Sequence, residues 1–348
     1  MRAHILHEID HLKYQEVPAP VPAGGEVLLE VKAVGICGSD VPRIYQTGAH
    51  VHPLIPGHEF SSIVKEVGQG VDEKWIGKAV GVFPLIPCRE CLPCQRKQYE
   101  MCKSYSYLGS RRDGAFAEYV TAPVWNLIEL PEGVSLEEAA MLEPMAVAVH
   151  AMRRVAPTVQ DTVVVYGLGT IGLLLTMFLL EAGIKNLFVI GNKEFQKKKI
   201  MALGLSEAHY CDSRTQEVSQ WIKENSKGAG ADVFFECVGK NEMVSQAVDL
   251  TTAAGRICMV GNPYSDMILE KEVYWKILRN QLTVTGTWNS SFDHDAEDDW
   301  HYVLERLAHN KITPSELISH RFSLEDLECG LKIMRDKTED YGKVMIFP

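Results

Sequence analysis

One uncharged stretch of the chain decides the fold, and it reads Val163-Val164-Val165-Tyr166-Gly167-Leu168-Gly169-Thr170-Ile171-Gly172. Its first four residues are typical of a buried β-strand, and the apolar residues after the last glycine favour a helix that reaches Ala182. Glycines spaced in this way between a strand and a helix permit a tight turn and let a pyrophosphate approach backbone N–H groups at the helix N-terminus. The motif therefore predicts a bound dinucleotide, with contacts from Gly167, Gly169, Thr170, Ile171 and Gly172.

The same region has the length of a membrane span, because residues 162–180 carry no charge and about 20 apolar residues cross a bilayer. The three glycines divide it, so a buried strand, a turn and a helix explain it better. The first eight residues, from Met1 to Glu8, lack the apolar core of a signal peptide. We therefore expect a cytoplasmic protein that does not bind a membrane.

The sequence pattern differs on the two sides of this region. After residue 158, apolar strands at 187–190, 232–237 and 256–260 alternate with helical stretches, which is typical of a parallel sheet covered by helices. Before residue 147, short β-type runs separated by Gly and Pro favour a β-rich barrel or sandwich. The apolar end of the chain, residues 342–348, can pair back with that first domain.

The chain length agrees with two domains, since one domain commonly contains about 150 residues and the chain has 348. We predict an α/β protein with a β-rich domain at 1–147 and 288–348. A doubly wound, Rossmann-type dinucleotide-binding domain is predicted at 148–287. The formal net charge is −11, from 35 basic and 46 acidic residues, and such a surface repels phosphate backbones. We therefore expect no nucleic-acid partner.

Four of the nine cysteines lie in one short loop, at Cys88, Cys91, Cys94 and Cys102. Four thiolates with two-residue gaps can surround one tetrahedral Zn²⁺ and leave no position for water, which predicts a structural zinc site. An iron–sulfur cluster, for which similar spacing is known, and four unrelated thiols are the alternatives. The four cysteines from residue 211 onward lie among apolar residues and are expected to be core thiols.

The residues of a second candidate metal site lie further apart in the sequence. They are Cys37 in Gly35-Ile36-Cys37-Gly38-Ser39-Asp40, His58 in Gly57-His58-Glu59-Phe60, and Glu143 in Leu142-Glu143-Pro144. Each residue alone is more often a packed core residue. Together, one soft, one borderline and one hard ligand leave a fourth position open, as a Lewis-acid zinc requires. The sequence thus predicts two zinc ions in each chain, one catalytic and one structural.

The residues after the second strand of the α/β domain bear on the choice of cofactor. NAD enzymes commonly have Asp or Glu there to bind the ribose 2′-hydroxyl. This chain has Gly191-Asn192-Lys193 instead, and Lys193, Lys197 and Lys198 could attract a 2′-phosphate. We therefore favour NADP. The alternative is that the lysines form a solvated helix face and that NAD binds through Asn192.

These motifs, together with the run Asp113-Gly114-Ala115-Phe116-Ala117-Glu118-Tyr119, resemble those of the zinc-dependent medium-chain dehydrogenases. The likeness is to the polyol (sorbitol) dehydrogenase branch and extends along the whole chain. It implies a GroES-like fold for the β-rich domain and transfer of hydride from a secondary alcohol of a polyol to NAD(P)⁺, which gives a ketose. It also implies a homodimer or homotetramer, formed through the sheet edge near residues 282–286.

The resemblance further implies roles for single residues. Cys37, His58 and Glu143 would bind the catalytic zinc, with Glu59 beside the metal as an outer or exchangeable ligand. Asp40 would orient His58, because a zinc-bound imidazole usually donates its other N–H to a carboxylate or carbonyl. Ser39 would hydrogen-bond the substrate hydroxyl and start a proton relay. The chain departs from the family at Pro42, where members often have a histidine that continues the relay.

Three short stretches resemble branch members that act on galactitol 1-phosphate-like substrates, and they are Pro42-Arg43-Ile44, Gly48-Ala49-His50 and Gly109-Ser110-Arg111-Arg112-Asp113-Gly114. A substrate phosphate needs local positive charge, for which Arg43, Arg111 and His50 are candidates, whereas Arg112 is interpreted as structural. Trp288 and Asn289 are further candidates for the substrate pocket. Sorbitol, idonate or threonine as substrates stay open, as does a non-enzymatic protein that binds zinc and a dinucleotide.

Overall fold

The computed structural model describes all 348 residues and divides them into two compact units. Unit 1 contains Met1–Pro144 and Ser291–Pro348, and unit 2 contains Met145–Ser290. Each boundary lies three residues from the one that the sequence suggests, at 144 instead of 147 and at 290 instead of 287. The first boundary falls inside a helix, where a change in composition gives no signal.

Seventeen strands account for the sheets of both units. In chain order they are β1 (Arg2–Glu8), β2 (His11–Glu16), β3 (Glu26–Ile36), β4 (Glu59–Val67), β5 (Ala79–Val82), β6 (Leu85–Ile86), β7 (Ser106–Tyr107), β8 (Tyr119–Pro123), β9 (Leu127–Glu129), β10 (Thr162–Tyr166), β11 (Asn186–Gly191), β12 (Tyr210–Asp212), β13 (Ala231–Glu236), β14 (Thr251–Met259), β15 (Thr283–Gly286), β16 (Ile318–Ser323) and β17 (Lys343–Phe347).

Eleven α-helices and several short helical turns complete the fold. The α-helices are α1 (Asp40–Pro42), α2 (Leu92–Gln95), α3 (Leu136–Ala139), α4 (Leu142–Val155), α5 (Thr170–Glu181), α6 (Glu194–Ala202), α7 (Val218–Asn225), α8 (Asn241–Leu250), α9 (Lys271–Arg279), α10 (Asp299–Ala308) and α11 (Leu327–Asp336). The turns are one π-helical segment, Arg43–Thr47, and the 3₁₀ segments Glu73–Trp75, Tyr99–Met101, Val124–Asn126, Glu207–His209 and Pro314–Leu317.

Unit 2 is built on a six-stranded sheet in the order β12-β11-β10-β13-β14-β15, and every pair of neighbours is parallel. This is the strand order of a doubly wound dinucleotide-binding fold. The central strands are apolar on both faces: Val163, Val164 and Val165 are fully buried, as are Phe234 and Phe235. The prediction of a parallel sheet covered by helices is confirmed.

The glycine motif forms the turn between β10 and α5. Gly167 has a φ of 101°, and a Cβ there would lie 2.6 Å from Val238 Cγ2. A Cβ on Gly172 would lie only 1.9 Å from the carbonyl oxygen of Gly167. Both positions therefore need glycine if strand and helix are to pack this closely. The uncharged run is thus divided into a strand, a turn and a helix, as expected, and no helix of the chain has both the length and the hydropathy of a membrane span.

Unit 1 has a seven-stranded sheet centred on β3, which pairs with β4, β8 and β17. The apolar side chains of these strands, among them Leu29, Phe60 and Ile346, lie in one buried core. The last strand, β17, runs antiparallel to β3, so the end of the chain returns to the first domain as predicted. Unit 2 is consequently an insertion within the sequence of unit 1.

Candidate metal centre and cofactor cleft

The end of β3 and the start of β4 lie side by side and bring three metal-binding residue types together. Gly35 pairs with Glu59 across the two strands, which places Cys37, just after β3, near His58 and Glu59. One ligand atom from each of Cys37, His58 and Glu59 lies within 4.8 Å of the others. His58 and Glu59 are buried, so little water competes for a bound ion.

Asp40 and Ser39 surround this group from the following turn. Asp40 Oδ2 accepts a hydrogen bond of 3.0 Å from the Cys37 backbone N–H, and Asp40 Oδ1 lies 3.5 Å from His58 Nδ1. Ser39 Oγ donates to Cys37 Sγ over 3.3 Å. The structure thus places Asp40 behind the His58 ring and Ser39 against the thiol.

Glu143 occupies the first turn of α4 and also belongs to this neighbourhood. Tyr107 donates from its hydroxyl to Glu143 Oε1 over 3.2 Å, and the Tyr107 ring packs edge-on against His58 with centroids 5.7 Å apart. Burial raises the pKa of Glu143, and the charges of His58 and Cys37 act on it as well. Glu59, and not Glu143, has an oxygen within 4.8 Å of the ligand atoms of Cys37 and His58. That Glu143 is the carboxylate ligand of the metal therefore stays a prediction.

The electrostatics of the centre suit a divalent cation. Burial alone would raise the pKa of Cys37, but His58 outweighs it and holds that pKa below its usual range. Burial would lower the pKa of His58, but the charge of Asp40 raises it. A thiolate is thus stabilised by a proton on His58, and a zinc ion would replace that proton. Thiolate, imidazole and carboxylate are the donor set of zinc sites, so the residues fit the ion.

The four cysteines of the 88–102 loop form a second group. Their sulfur atoms lie within 4.8 Å of one another, with 3.5 Å between Cys91 and Cys94 and 3.9 Å between Cys88 and Cys94. Four sulfurs about 2.3 Å from one zinc ion would be about 3.8 Å apart. The backbone N–H of Cys88 donates to Cys102 Sγ over 3.2 Å, which favours the thiolate form. The arrangement fits a closed tetrahedral zinc site.

In unit 2, a cavity of about 290 Å³ opens at the carboxyl ends of β10 and β13. Doubly wound sheets bind ligands at this place, where the strand order reverses. Of the predicted cofactor residues, Gly167, Gly169, Gly191 and Asn192 line the cavity. The other four predicted cofactor residues do not line this cavity. Thr170, Ile171 and Gly172 lie in the first turn of α5, and Lys193 directly precedes α6.

Lys240 lines the same cavity and was not singled out from the sequence. It directly precedes α8, and its ammonium lies 5.7 Å from the Tyr264 ring centre. Lys197, by contrast, forms an ion pair with Glu207 and lies outside the cavity. Lys240 precedes a helix whose apolar periodicity begins only after it, so the periodicity gives no signal at Lys240 itself.

In unit 1, a cavity of about 330 Å³ is lined by Ser39, Pro42, Arg43 and the 47–50 segment, which includes His50. Burial lowers the pKa of His50, and the charges of Arg111 and Arg43 lower it further. These three groups are therefore close enough to interact. Arg111 also lies 4.7 Å above the Tyr105 ring. Of the three residues predicted to bind phosphate, Arg43 and His50 line one cavity, and Arg111 is near enough for its charge to act on His50. Their binding of a phosphate stays a prediction.

The remaining candidates have other surroundings. Arg112 donates to Glu26 over 2.9 Å and to Thr121 over 3.3 Å, so its structural interpretation is confirmed. Trp288 and Asn289 belong to unit 2, where the Trp288 side chain is exposed. Asn289 has a φ of 52°, and its buried Nδ2 makes no hydrogen bond. A role for these two residues in substrate binding stays a prediction.

Comparison of the sequence with known families and proteins points to the same class of enzyme as the metal centre and the cofactor cavity. Residues 23–132 match the alcohol dehydrogenase GroES-like domain, and residues 170–309 match the zinc-binding dehydrogenase domain. Galactitol 1-phosphate 5-dehydrogenase of Escherichia coli is 32% identical over 93% of this chain and 92% of its own length. Sorbitol dehydrogenase of Halalkalibacterium halodurans is 30% identical over 98% of this chain and 97% of its own.

Solved structures give the same result. The crystal structure of galactitol-1-phosphate dehydrogenase from Escherichia coli superimposes with a TM-score of 0.92 and 30% identity over 100% of both chains. A zinc-binding dehydrogenase from Sinorhizobium meliloti, bound to NADP, gives 0.91 and 26% over 100% of this chain and 99% of its own. An Escherichia coli CFT073 alcohol dehydrogenase complexed with NADH gives 0.90 and 27% over the same shares.

The chain belongs to the zinc-binding alcohol dehydrogenase family, with a GroES-like domain and a Rossmann-type domain. It is an oxidoreductase of the zinc-dependent, NAD(P)-linked alcohol dehydrogenase class. The narrower resemblance, to galactitol-1-phosphate 5-dehydrogenase within the polyol branch, is also confirmed as a likeness in sequence and in structure.

Proposed function

We propose that this enzyme oxidises a secondary alcohol of a polyol phosphate to a ketose phosphate, with NAD(P)⁺ as hydride acceptor. The observation that carries the proposal is that Arg43 and His50 line one cavity with Ser39, and that the charge of Arg111 acts on His50, in a chain whose net charge is −11. An acidic protein concentrates positive charge at one place when that place binds an anion. The likeness to galactitol 1-phosphate 5-dehydrogenase supports the same substrate class.

The residues of the candidate centre have separate tasks in this reaction. Cys37, His58 and a carboxylate, Glu143 in our proposal, would hold the zinc ion, whose charge lowers the pKa of the substrate hydroxyl so that hydride can leave its carbon. Asp40 keeps the His58 ring in place, because its Oδ1 lies beside His58 Nδ1. Ser39, which contacts Cys37 Sγ, receives the hydroxyl proton. Pro42 cannot carry that proton further, because it has no ionisable group.

The substrate proposal is tested by kinetics on polyols with and without a terminal phosphate. Arg111→Met should raise KM for the phosphorylated polyol by about tenfold or more, because a hydrogen bond between charged groups contributes about 1.5–3 kcal/mol. KM for the unphosphorylated polyol should stay unchanged. Arg112→Met is the matched control, since Arg112 is held by Glu26 and Thr121. If Arg111→Met leaves KM for the phosphorylated polyol at the wild-type value, the proposal is contradicted.

An unphosphorylated polyol of the sorbitol or idonate type is the second candidate. The observation in its favour is that Arg43 Nη1 already donates to Asp40 Oδ1 over 2.5 Å, so part of its charge is neutralised. The likeness to sorbitol dehydrogenase points in the same direction. The same panel distinguishes the candidates, because this one requires the higher kcat/KM for the polyol without phosphate.

For the cofactor we propose NADP. The two residues directly after β11, Asn192 and Lys193, carry no carboxylate. A Cβ on Gly191 would lie 2.7 Å from Gln196 Oε1 and 2.9 Å from the Tyr210 hydroxyl, so an acidic side chain there would have to displace both side chains. Lys240 is a cation that lines the cavity. Lys240→Met should raise KM for NADP⁺ about tenfold and leave KM for NAD⁺ unchanged.

Lys197→Met provides the control for that experiment, because Lys197 is paired with Glu207 outside the cavity. Its KM values for both cofactors should match those of the wild type. If the wild-type enzyme prefers NAD⁺, or if Lys240→Met affects both cofactors equally, the preference for NADP is wrong and binding through Asn192 is the better interpretation.

We also propose a homodimer or homotetramer that works in the cytoplasm. The strand β15 forms one edge of the six-stranded sheet and so has unpaired backbone groups. Apolar side chains of the neighbouring α9, Trp275 and Leu278, are exposed as well. None of the nine cysteines forms a disulfide, which agrees with a reducing compartment.

A further inference from the structure

Lys343, the first residue of β17, is a fully buried lysine beside the candidate metal centre. Only 1% of its side chain is exposed, and its Nζ forms an ion pair with Glu59 Oε2. The same Nζ donates to the carbonyl oxygen of Ile36 over 3.0 Å. A buried ammonium is costly unless it is paired, so its position beside Glu59 requires an explanation.

The strand register makes room for this ion pair at Gly35. Gly35 lies on β3 between Glu59 on β4 and Met345 on β17. A Cβ on Gly35 would be 2.4 Å from Lys343 Cε and 2.6 Å from Glu59 Oε2. The side chain of Lys343 therefore passes over β3 at Gly35, where the strand has no side chain, and any other residue at 35 would displace the pair.

The charges of the centre balance when this pair is counted. The acidic groups of the centre are Cys37, Asp40, Glu59 and Glu143, and those that would bind the ion lose their protons when a metal binds. Asp40 is paired with Arg43, and Glu59 is paired with Lys343. Two negative charges are then left, on Cys37 and Glu143, and they match the two positive charges of one zinc ion.

Glu59 would be able to reach the metal if it were released. Its ligand oxygen already lies within 4.8 Å of the ligand atoms of Cys37 and His58. A carboxylate that lacks its cation in a buried site would bind the nearest positive charge, which here is the metal. Three ligands keep a zinc site open for substrate, whereas a fourth protein ligand closes it.

We propose that Lys343 is a positioning residue that keeps Glu59 off the metal, so that the fourth coordination position stays available to the alcohol. This inference rests on the proposed function, because it assumes a metal ion at Cys37 and His58. Lys343 contacts neither substrate nor cofactor in this role. Its effect on the reaction is transmitted through Glu59 alone.

The test uses the full-length protein with cobalt in place of zinc and thiocyanate as the probe for an open coordination position. Thiocyanate should change the visible spectrum of the wild-type cobalt protein, and the closed four-cysteine site should not respond. In Lys343→Met, Glu59 should occupy the open position. The apparent Kd for thiocyanate should then rise about tenfold or more, and release of cobalt to a chelator should slow by a similar factor.

Two further variants separate this role from a general loss of structure. Lys343→Met combined with Glu59→Gln should restore the response to thiocyanate, because the neutral amide is a poor ligand for the metal. Lys78→Met removes a lysine from a half-exposed pair with Glu129 in the same unit and should leave the response at the wild-type level. Thermal unfolding of all variants checks that each is folded.

The possible outcomes are distinguishable. If the wild-type protein shows no response to thiocyanate, the proposed catalytic metal site fails, and with it the proposed function. If the wild type responds and Lys343→Met responds with the same Kd, the role of Lys343 is overturned while the metal site stands. Loss of the response in Lys343→Met without recovery in the double variant also overturns it, since the effect would then not act through Glu59.

Discussion

Cys102 is the most distant of the four loop cysteines in sequence, and its substitution gives a direct test of the structural zinc site. Its buried sulfur accepts the Cys88 backbone N–H and lies 3.9 Å from Cys91 Sγ. Cys102→Ser replaces a strong zinc ligand by a hydroxyl, so we expect the zinc content to fall from two ions per chain to one and the Tm to decrease. Metal analysis and thermal unfolding provide the measurement.

Cys329 is exposed, so its prediction as a core thiol is wrong: it lies on the outer face of α11, whereas Cys211 and Cys258 are buried as expected. Cys329 also lies outside both groups of candidate ligands, which makes it the matched control for that substitution. Cys329→Ser should keep two zinc ions per chain and the wild-type Tm. A Cys102→Ser protein with its full zinc content would exclude Cys102 as a ligand.

Some residues of the metal centre could be predicted from the sequence, and others could not. Cys37, His58 and Glu143 could be grouped as ligands, with Glu59 beside them, because their residue types suit zinc and their short motifs resemble those of a known family. The structure places Glu59, rather than Glu143, closest to the other two. Tyr107 contacts both His58 and Glu143, but it lies in a two-residue strand that has no pattern of its own. Lys343 begins an apolar strand, where a lysine normally marks the solvent-exposed end of a segment. Only the register of β17 against β3 shows that it points inward.

At the scale of elements, the start of α10 depends on one buried carboxylate. Asp298 Oδ1 accepts hydrogen bonds from the backbone N–H of His301 and from its ring, over 2.8 and 2.9 Å. Asp298 Oδ2 accepts from the backbone N–H groups of Asp293 and His294, each over 3.1 Å. Asp298→Ala should therefore cost about 2–3 kcal/mol, since it removes an N-cap and leaves partly buried N–H groups without their acceptor.

The pH dependence of this contact has a definite sign. The hydrogen bond from His301 to Asp298 raises the pKa of His301. The pair therefore stabilises the fold fully below the pKa of the unfolded histidine, about 6.5, and this contribution disappears as the pH rises through the raised value. The urea midpoints of wild type and Asp298→Ala should differ more at pH 5.5 than at pH 9. Asp298→Asn, which keeps one acceptor, should lie between them, and a pH-independent difference would contradict the assignment.

Elements with a strong local signal were predictable. The β10 strand, the turn and α5 follow from an apolar run that glycines divide. Their bounds agree with the prediction to within one residue, both at the start of the strand and at the end of the helix. The strand β12 gave no signal, because its three residues, Tyr210–Asp212, are too few for a periodic pattern. The order of the strands is a property of long-range pairing, so it followed only from the resemblance to a doubly wound fold.

At the scale of the whole molecule, the net charge of the chain and the charge around one cavity point to different binding partners. The net charge of −11 argues against a surface that binds nucleic acid, but it does not describe the charge inside any one cavity. Arg43, His50 and Arg111 are separated by up to 68 residues, and only folding brings their charges together. Composition therefore predicts the class of partner for the surface, whereas the substrate class depends on the structure of one site.

Self-association is the property of the whole molecule that the exposed sheet edge allows us to test. Val284, on the edge strand β15, is 46% exposed and lies near the exposed side chains of α9 in sequence. In a twofold interface the same residue of both copies is buried, so Val284→Lys would place two positive charges there and remove apolar contact. We expect the mass measured by light scattering to fall from a multiple of 38.9 kDa to 38.9 kDa. Val21→Lys adds the same charge at a position of unit 1 that is 84% exposed and should keep the wild-type mass. If Val284→Lys remains an oligomer of wild-type mass, the copies associate through another surface.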